Sequence, residues 1–223
     1  PPRSTLFPYT TLFRSMQLYF RLAMAFWAGW LTVFVVGLVA VVTPGPDFAL
    51  TLRSSLTYSR QAGVYTALGI GLGNAIHATY CLIGIGALIS QSILLFSGLK
   101  LMGAGYLIYL GFKSLRAKPV KTESLHNNQR FFSAFAAFRL GLFGNLLNPK
   151  ATLFFLALFT QIVQPGTPLA TQVLYGGTVA LQSLVWFALL ALLISQHWVK
   201  QLLSDISHWL ERITGAVLIL LGL

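Results

Sequence analysis

Two short interruptions, Thr43-Pro44-Gly45-Pro46-Asp47 and Asn148-Pro149-Lys150, hold the residues in this chain best suited to binding a small charged molecule. Each falls inside a long apolar run. Proline has no N–H to give and clashes with the preceding turn, so each stretch should break or kink a helix. Inside a bilayer, broken backbone is tolerated only where it lines protein or a cavity, and paired breaks in two halves of a chain point to a transport site. Asp47 follows directly on the first break and Lys150 on the second. Lys150 and the half-helix N-termini could hold a carboxylate, and Asp47 an ammonium or a proton. A plainer role, less favoured, is also open: Asp47 caps the helix that starts there, and Lys150 snorkels to an interface. The two roles can coexist.

Other polar residues join this set by spacing. Asn145 and Asn148 are three apart, with Arg139 upstream, which makes the run into the second break unusually polar. Asn145 either contacts a solute or hydrogen-bonds a neighbouring helix. Asn74 and His77 share one helical face and present the same choice. The candidate binding residues are therefore Pro44, Gly45, Pro46, Asp47, Asn74, His77, Asn145, Asn148, Pro149 and Lys150. Lys100 could pair with Asp47 or lie near the outer interface. Gly69, Gly71 and Gly73 contain a Gly-x-x-x-Gly spacing, which reads first as close helix packing. Enzyme signatures are absent: there is no His-Glu-x-x-His, Gly-x-Ser-x-Gly, Cys-x-x-Cys or Walker loop. The histidines are scattered and Cys81 is the single cysteine, so neither a metal site, a cofactor nor a disulfide is expected.

The elements that must position these residues follow from composition. The chain is 56% hydrophobic and 9% charged, against about 25% charged in a soluble domain, so it reads as an all-α integral membrane protein. Its formal net charge of +11 is spread over short loops rather than gathered into a patch, which excludes a nucleic-acid surface. Pro1 to Ser15 repeats itself (Thr5-Leu6-Phe7, Thr11-Leu12-Phe13) and is set apart as a non-native, adapter-like segment, with Met16 as the expected start.

A span needs about 20 apolar residues, and six segments qualify: Ala23 through the first break to Leu56, Val64–Ile89, Ser92–Phe112, Phe131 through the second break to Val163, Pro168–Ser195 and Ile206–Leu223. The last is still apolar where the chain stops, so its ending is left open. Arg53 and Arg60, then Lys113, Arg116, Lys118, Lys121 and Arg130, then Lys200 and Arg212 mark alternate loops as cytoplasmic. Both termini then face outward, with Arg21 the one dissenting residue. Glu123, Asp205 and Glu211 are assigned to cytoplasmic loops, which leaves Asp47 as the membrane carboxylate. Leu107-Ile108-Tyr109-Leu110-Gly111 echoes Leu218-Ile219-Leu220-Leu221-Gly222, so residues 16–112 and 131–223 form two inverted three-helix repeats joined by a cytoplasmic linker, 113–130.

With these motifs in place, the chain resembles the LysE/RhtB-type amino-acid exporter family, also described as lysine exporter and homoserine-threonine efflux translocators. The resemblance rests on Thr43-Pro44-Gly45-Pro46-Asp47 with Arg53, Arg60-x-x-Gly63 and Gly69-x-x-x-Gly73 in the first half. The second half supplies Phe138-Arg139-x-Gly141, Asn145-Leu146-Leu147-Asn148-Pro149-Lys150-Ala151, Phe154-Phe155 and Ile213-Thr214-Gly215-Ala216. It covers Trp27 to Leu223. One departure is visible: Thr160-Gln161 stands where members often carry proline before the glutamine. The resemblance implies a secondary transporter of the bacterial cytoplasmic membrane, not an enzyme. Such a protein exports small amino acids of the homoserine, threonine or lysine kind, with protons as the expected counter-ion; separately, the small-residue faces of the second and third spans could serve a homodimer as easily as an internal seam. An exporter of another small solute and a non-transporting membrane protein are the alternatives. Scarce acidic residues argue against a divalent-cation cargo.

Overall fold

The computed structural model describes residues 8–116, 132–194 and 196–223, and every regular element among them is an α-helix. Residues 1–7 and the linker residues Lys118, Lys121, Glu123 and Arg130 lie outside the described residues. The order is α1 (Pro8–Val42), α2 (Pro46–Thr57), α3 (Arg60–Gln91), α4 (Ile93–Leu115), α5 (Ala134–Leu146), α6 (Pro149–Ile162), α7 (Leu169–Leu193) and α8 (His197–Gly222).

Both proline motifs end one helix and begin another. Pro46 and Pro149 open α2 and α6, where the missing N–H costs nothing because first-turn N–H groups have no intrahelical partner. Asn148 caps α6, its Oδ1 accepting from the Lys150 N–H at 3.0 Å. The pair α5 and α6 bends by 56° at this break. The first break is placed differently from expectation. α1 is long and apolar enough to cross a membrane by itself, over Phe13–Val42, so the break follows a full span and α2 is a separate helix of 12 residues. α1 starts at Pro8, and its first turns run through residues the sequence pattern sets apart. Among the described residues, four helices (α1, α3, α4 and α7) are long and apolar enough to span, or five if the bent pair counts as one. α8 begins at His197 rather than Ile206, so Asp205 as well as Glu211 lies in a helix and not in a loop.

α3 lies between α5 and α7, and α4 pairs with α8. The α3–α5 seam is backbone against backbone. A Cβ on Gly69 would stand 2.1 Å from the Phe138 carbonyl oxygen, and one on Gly141 would stand 2.0 Å from that of Thr66. Thr66 ties the same seam, its hydroxyl lying 3.3 Å from the Ala137 carbonyl. α4 and α8 meet at Gly111 and Gly215 in the same manner. α1 is clasped to α7 by Trp30 Nε1 donating to Thr178 Oγ1 (3.2 Å) and Gln182 Nε2 donating to the Phe34 carbonyl (2.9 Å). The core holds Ile70, Phe154, Phe155, Leu158, Phe159 and Val179, whereas Leu94, Leu101 and Met102 face outward, as side chains solvated by lipid do. At the Thr160-Gln161 departure, Gln161 Nε2 donates to the Lys100 carbonyl at 2.9 Å and Thr160 packs on Gly103, so these two side chains join α6 to α4.

Gly69→Ala and Gly141→Ala should each lower stability by about 1–3 kcal/mol, the usual cost of overpacking. Gly84→Ala and Gly98→Ala, with open space around them, should be neutral or slightly stabilising. Thermal unfolding in detergent separates the two groups; equal melting temperatures would show that the seam yields easily.

Candidate functional site

The two breaks meet at Asp47. Its carboxylate accepts from Asn145 Nδ2 at 2.8 Å and from Asn148 Nδ2 at 3.3 Å, so the first half supplies the acid and the second half both donors. The direction of each bond is set by the next residue. Asn148 has committed its Oδ1 to capping α6, which leaves its N–H group for Asp47. Asn145 shares its Nδ2 between Asp47 and Asn74 Oδ1 (3.1 Å), and Asn74 Nδ2 donates onward to Ser183 Oγ on α7 at 2.6 Å. Asn145 Oδ1 accepts no hydrogen bond and is pressed on Gly73, where a Cβ would lie 2.4 Å from it. The second glycine of the Gly-x-x-x-Gly pair therefore makes room for a side chain of the network.

Lys150 stands on the other side of the cavity. Its Nζ lies 3.2 Å from the position a Gly45 Cβ would take, so the glycine between the two prolines is what lets the ammonium reach the first break. Lys150 closes no ion pair with Asp47. Its charge lies within electrostatic reach of Glu211 on α8, Asp47 and Lys113. The two charged groups thus share a space without neutralising each other by contact.

That space has two parts. A small chamber of about 60 Å³ is lined by Thr43, Asp47, Asn74, Asn148 and Lys150, with Phe154, Phe155, Val179 and Phe187 as its apolar wall. It adjoins a cavity of about 860 Å³ lined by Thr43, Pro44, Gly45, Pro46, Tyr106, Lys113, Arg116, Asn148, Pro149, Lys150 and Glu211. A low-polarity wall on one side and opposed charges on the other can hold a small molecule that carries both an ammonium and a carboxylate.

The structure brings Pro44, Gly45, Pro46, Asp47, Asn74, Asn148, Pro149 and Lys150 to the walls of these cavities. Asn145 and His77 lie behind the wall, each 0% exposed. His77 Nε2 bonds the Asn145 main-chain carbonyl at 3.0 Å, and its ring stacks on Phe155. Arg139 faces elsewhere, over Phe135 and Phe143 at 5.7 and 5.8 Å from the ring centroids. Lys100 sits in the early turns of α4, whereas the cavity is lined by the later residues Tyr106 to Arg116. Glu211, assigned by its sequence surroundings to a loop, lines the larger cavity. Thr43 and Thr214 hydrogen-bond through their hydroxyls and both line the chamber; Thr43 belongs to the first motif, but Thr214 carries no signal beyond its place beside Gly215. Ser183 gives no signal in the sequence.

The LysE type translocator family model matches residues 38–223. A threonine efflux protein of Escherichia coli is 28% identical over 192 residues, covering 84% of this chain and 92% of its own. A homoserine/homoserine lactone efflux protein of Salmonella typhimurium is 32% identical over 148 residues, 66% of this chain and 71% of its own. A membrane protein of Bacillus subtilis of uncharacterised function is 29% identical over 195 residues, 82% of this chain and 91% of its own. No solved structure matches the chain.

Asn145→Ala removes the donor that Asp47 and Asn74 share and should destabilise by about 2 kcal/mol, since the buried Asn74 oxygen loses its partner and Asp47 its shorter bond. Asn148→Ala removes a cap and the longer bond and should cost about 1–2 kcal/mol. Gly73→Ala should act in the same direction as Asn145→Ala by displacing its amide. Detergent thermal melts rank the three; a larger loss for Asn148→Ala would shift the centre of the network to the cap.

Proposed function

We propose that this chain, which belongs to the LysE type translocator family, is a secondary exporter of small amino acids of the homoserine, threonine or lysine kind, working by proton antiport. The observation that carries this reading is the chamber where the two breaks meet. Asp47 and Lys150 line it with opposite charge and no ion pair between them. In this reading Asp47 takes the substrate ammonium, Lys150 takes the carboxylate, and the wall of Phe154, Phe155, Val179 and Phe187 takes the side chain. Buried charges held apart in this way cost desolvation unless something completes them, and a zwitterion completes both.

The membrane arrangement proposed is six spans in two inverted three-helix repeats in a bacterial cytoplasmic membrane, with both termini outside. Support comes from the proline break in each half and from the packing of α3 on α7 and α4 on α8, each the partner of its counterpart. The larger cavity is lined by Lys113 and Arg116, the charge-rich end that the loop-charge rule puts in the cytoplasm. Its opening there suits loading from inside. A homodimer is compatible with the small-residue helix faces and is not needed for the site. A lactone substrate is the second reading, favoured by one relative's name. It would leave Lys150 without a carboxylate to hold.

Inverted membrane vesicles carrying the full chain, given a proton gradient and labelled threonine, homoserine or lysine, should accumulate one of them. Asp47→Asn and Lys150→Ala should each lower uptake efficiency about tenfold or more, the scale of one charge-assisted contact. Uptake that survives both changes would place the site elsewhere. Homoserine lactone accumulating with Lys150→Ala unaffected would favour the second reading.

A further inference from the structure

An antiporter needs a group that binds the counter-ion, and the hydrogen-bond pattern argues against Asp47 for that task. Both groups that face the Asp47 carboxylate are amide N–H donors. The O–H of a protonated Asp47 would find no acceptor in either amide as placed, and neither can turn over without breaking the α6 cap or the contact with Asn74. His77 is placed differently. Its Nε2 faces the Asn145 carbonyl at 3.0 Å, and a carbonyl only accepts, so Nε2 carries hydrogen in either protonation state. Its Nδ1 faces hydroxyls, which can donate or accept: Tyr80 OH in direct contact and Thr152 Oγ1 at 3.4 Å.

We infer that His77 is the proton-binding residue of the exchange, taking up and releasing one proton at Nδ1 while Nε2–H stays on the Asn145 carbonyl. This rests on the exporter reading given above. In the neutral form Tyr80 O–H donates into the Nδ1 lone pair. In the charged form Nδ1–H donates to the Tyr80 oxygen, Tyr80 O–H turns to Thr152 Oγ1 (3.3 Å), and Thr152 O–H donates to the Asn148 carbonyl (3.5 Å). Only hydroxyl hydrogens rotate, so the site accepts the charge with every group still partnered. Tyr80 is 42% exposed, and Thr152 follows Pro149 by one turn beside Leu153, both of which line the larger cavity. Thr152 thus adjoins residues that line the larger cavity, the side from which the inference brings the proton to Nδ1.

The same geometry connects the proton to the substrate. Asn145 and Asn148 offer their side-chain amides to Asp47 and their main-chain carbonyls to the His77 side. His77 also lies within electrostatic reach of Asp47. A proton on His77 and a substrate ammonium at Asp47 thus compete for one negative charge, which is the condition for one-for-one exchange. The other charged groups on helices packed against α3 do not intervene. Arg139 on α5 lies over Phe135 and Phe143, and Arg53 on α2 is exposed. Tyr175 on α7 faces Gly29, and Lys150 on α6 faces Gly45 across the chamber. Lys100 and Lys113 stand near the two ends of α4, and Lys113 and Tyr106 line the larger cavity.

Two measurements on the full-length protein test this. In the first, nitrogen-15 spectra of histidine-labelled protein, with the His77 signals assigned by their loss in His77→Gln, follow both ring nitrogens against pH. The inference expects Nε2 protonated throughout and Nδ1 gaining its proton as pH falls. A ring that keeps its hydrogen on Nδ1, or one that never titrates, overturns it. In the second, proteoliposomes are loaded with labelled threonine, homoserine and lysine. His77→Gln and Tyr80→Phe should lose about tenfold or more of gradient-driven accumulation while keeping exchange of labelled for unlabelled amino acid. Accumulation unchanged in His77→Gln overturns the inference, as does equal loss of exchange in a variant that melts like the wild type. If the wild type itself moves none of the three, the exporter reading fails on this panel, and the spectra still decide whether His77 binds its proton at Nδ1.

Discussion

A carboxylate inside a membrane has to be surrounded by donors, and the centre of this protein is arranged to supply them to Asp47. The donors come from Asn145 and Asn148, which flank a helix break in the other half of the chain. Around that contact the geometry of five helices becomes mutually dependent. Asn148 can offer its N–H only because its oxygen caps α6. Asn145 is directed by Asn74, which is held in turn by Ser183 on α7. A polar network of this kind, buried in low dielectric, is strong when complete and costly when any member is missing. It joins α2, α3, α5, α6 and α7 at one point.

The glycines serve the same centre by subtraction. Gly69 and Gly141 bring α3 and α5 to backbone contact, which puts Asn74 and Asn145 within reach of each other. Gly73 leaves space for the Asn145 amide, and Gly45 leaves space for the Lys150 ammonium. A methyl group at any of these positions would meet a backbone or polar atom of the site. In a bilayer, where lipid is as apolar as leucine, such close backbone approach replaces the hydrophobic force that would otherwise press helices together. Packing and site are therefore one construction.

Opposite charges that line a cavity and do not touch are a poor arrangement for stability and a useful one for binding. The cavity between Asp47 and Lys150 separates them, the larger cavity beyond carries Lys113, Arg116 and Glu211, and the apolar wall lies opposite. His77 is set behind this wall, joined to it by the contact of its Nε2 with the Asn145 main-chain carbonyl. An ion-binding residue in that position can alter the cavity without occupying it.

Much of this was legible in the residues alone. The two proline motifs, the charged residue after each, and Asn74, His77, Asn145 and Asn148 could be named because helix breaks and intramembrane polar groups are rare and costly, so their presence carries information. The helical class followed from composition for the same reason. What only the tertiary structure decided was which of these residues touch. Asn145 and His77 share the helical spacing of cavity-lining residues, yet both are buried behind the wall, because facing direction depends on how α3 and α5 are rotated against each other. Glu211 looked like a loop residue because charges cluster around it, whereas it lies within α8 and lines the larger cavity. Ser183, Tyr80 and Thr152 are ordinary residues in apolar runs, without a pattern to mark them. Local sequence sets where a helix can break; contacts across the chain set what the break faces.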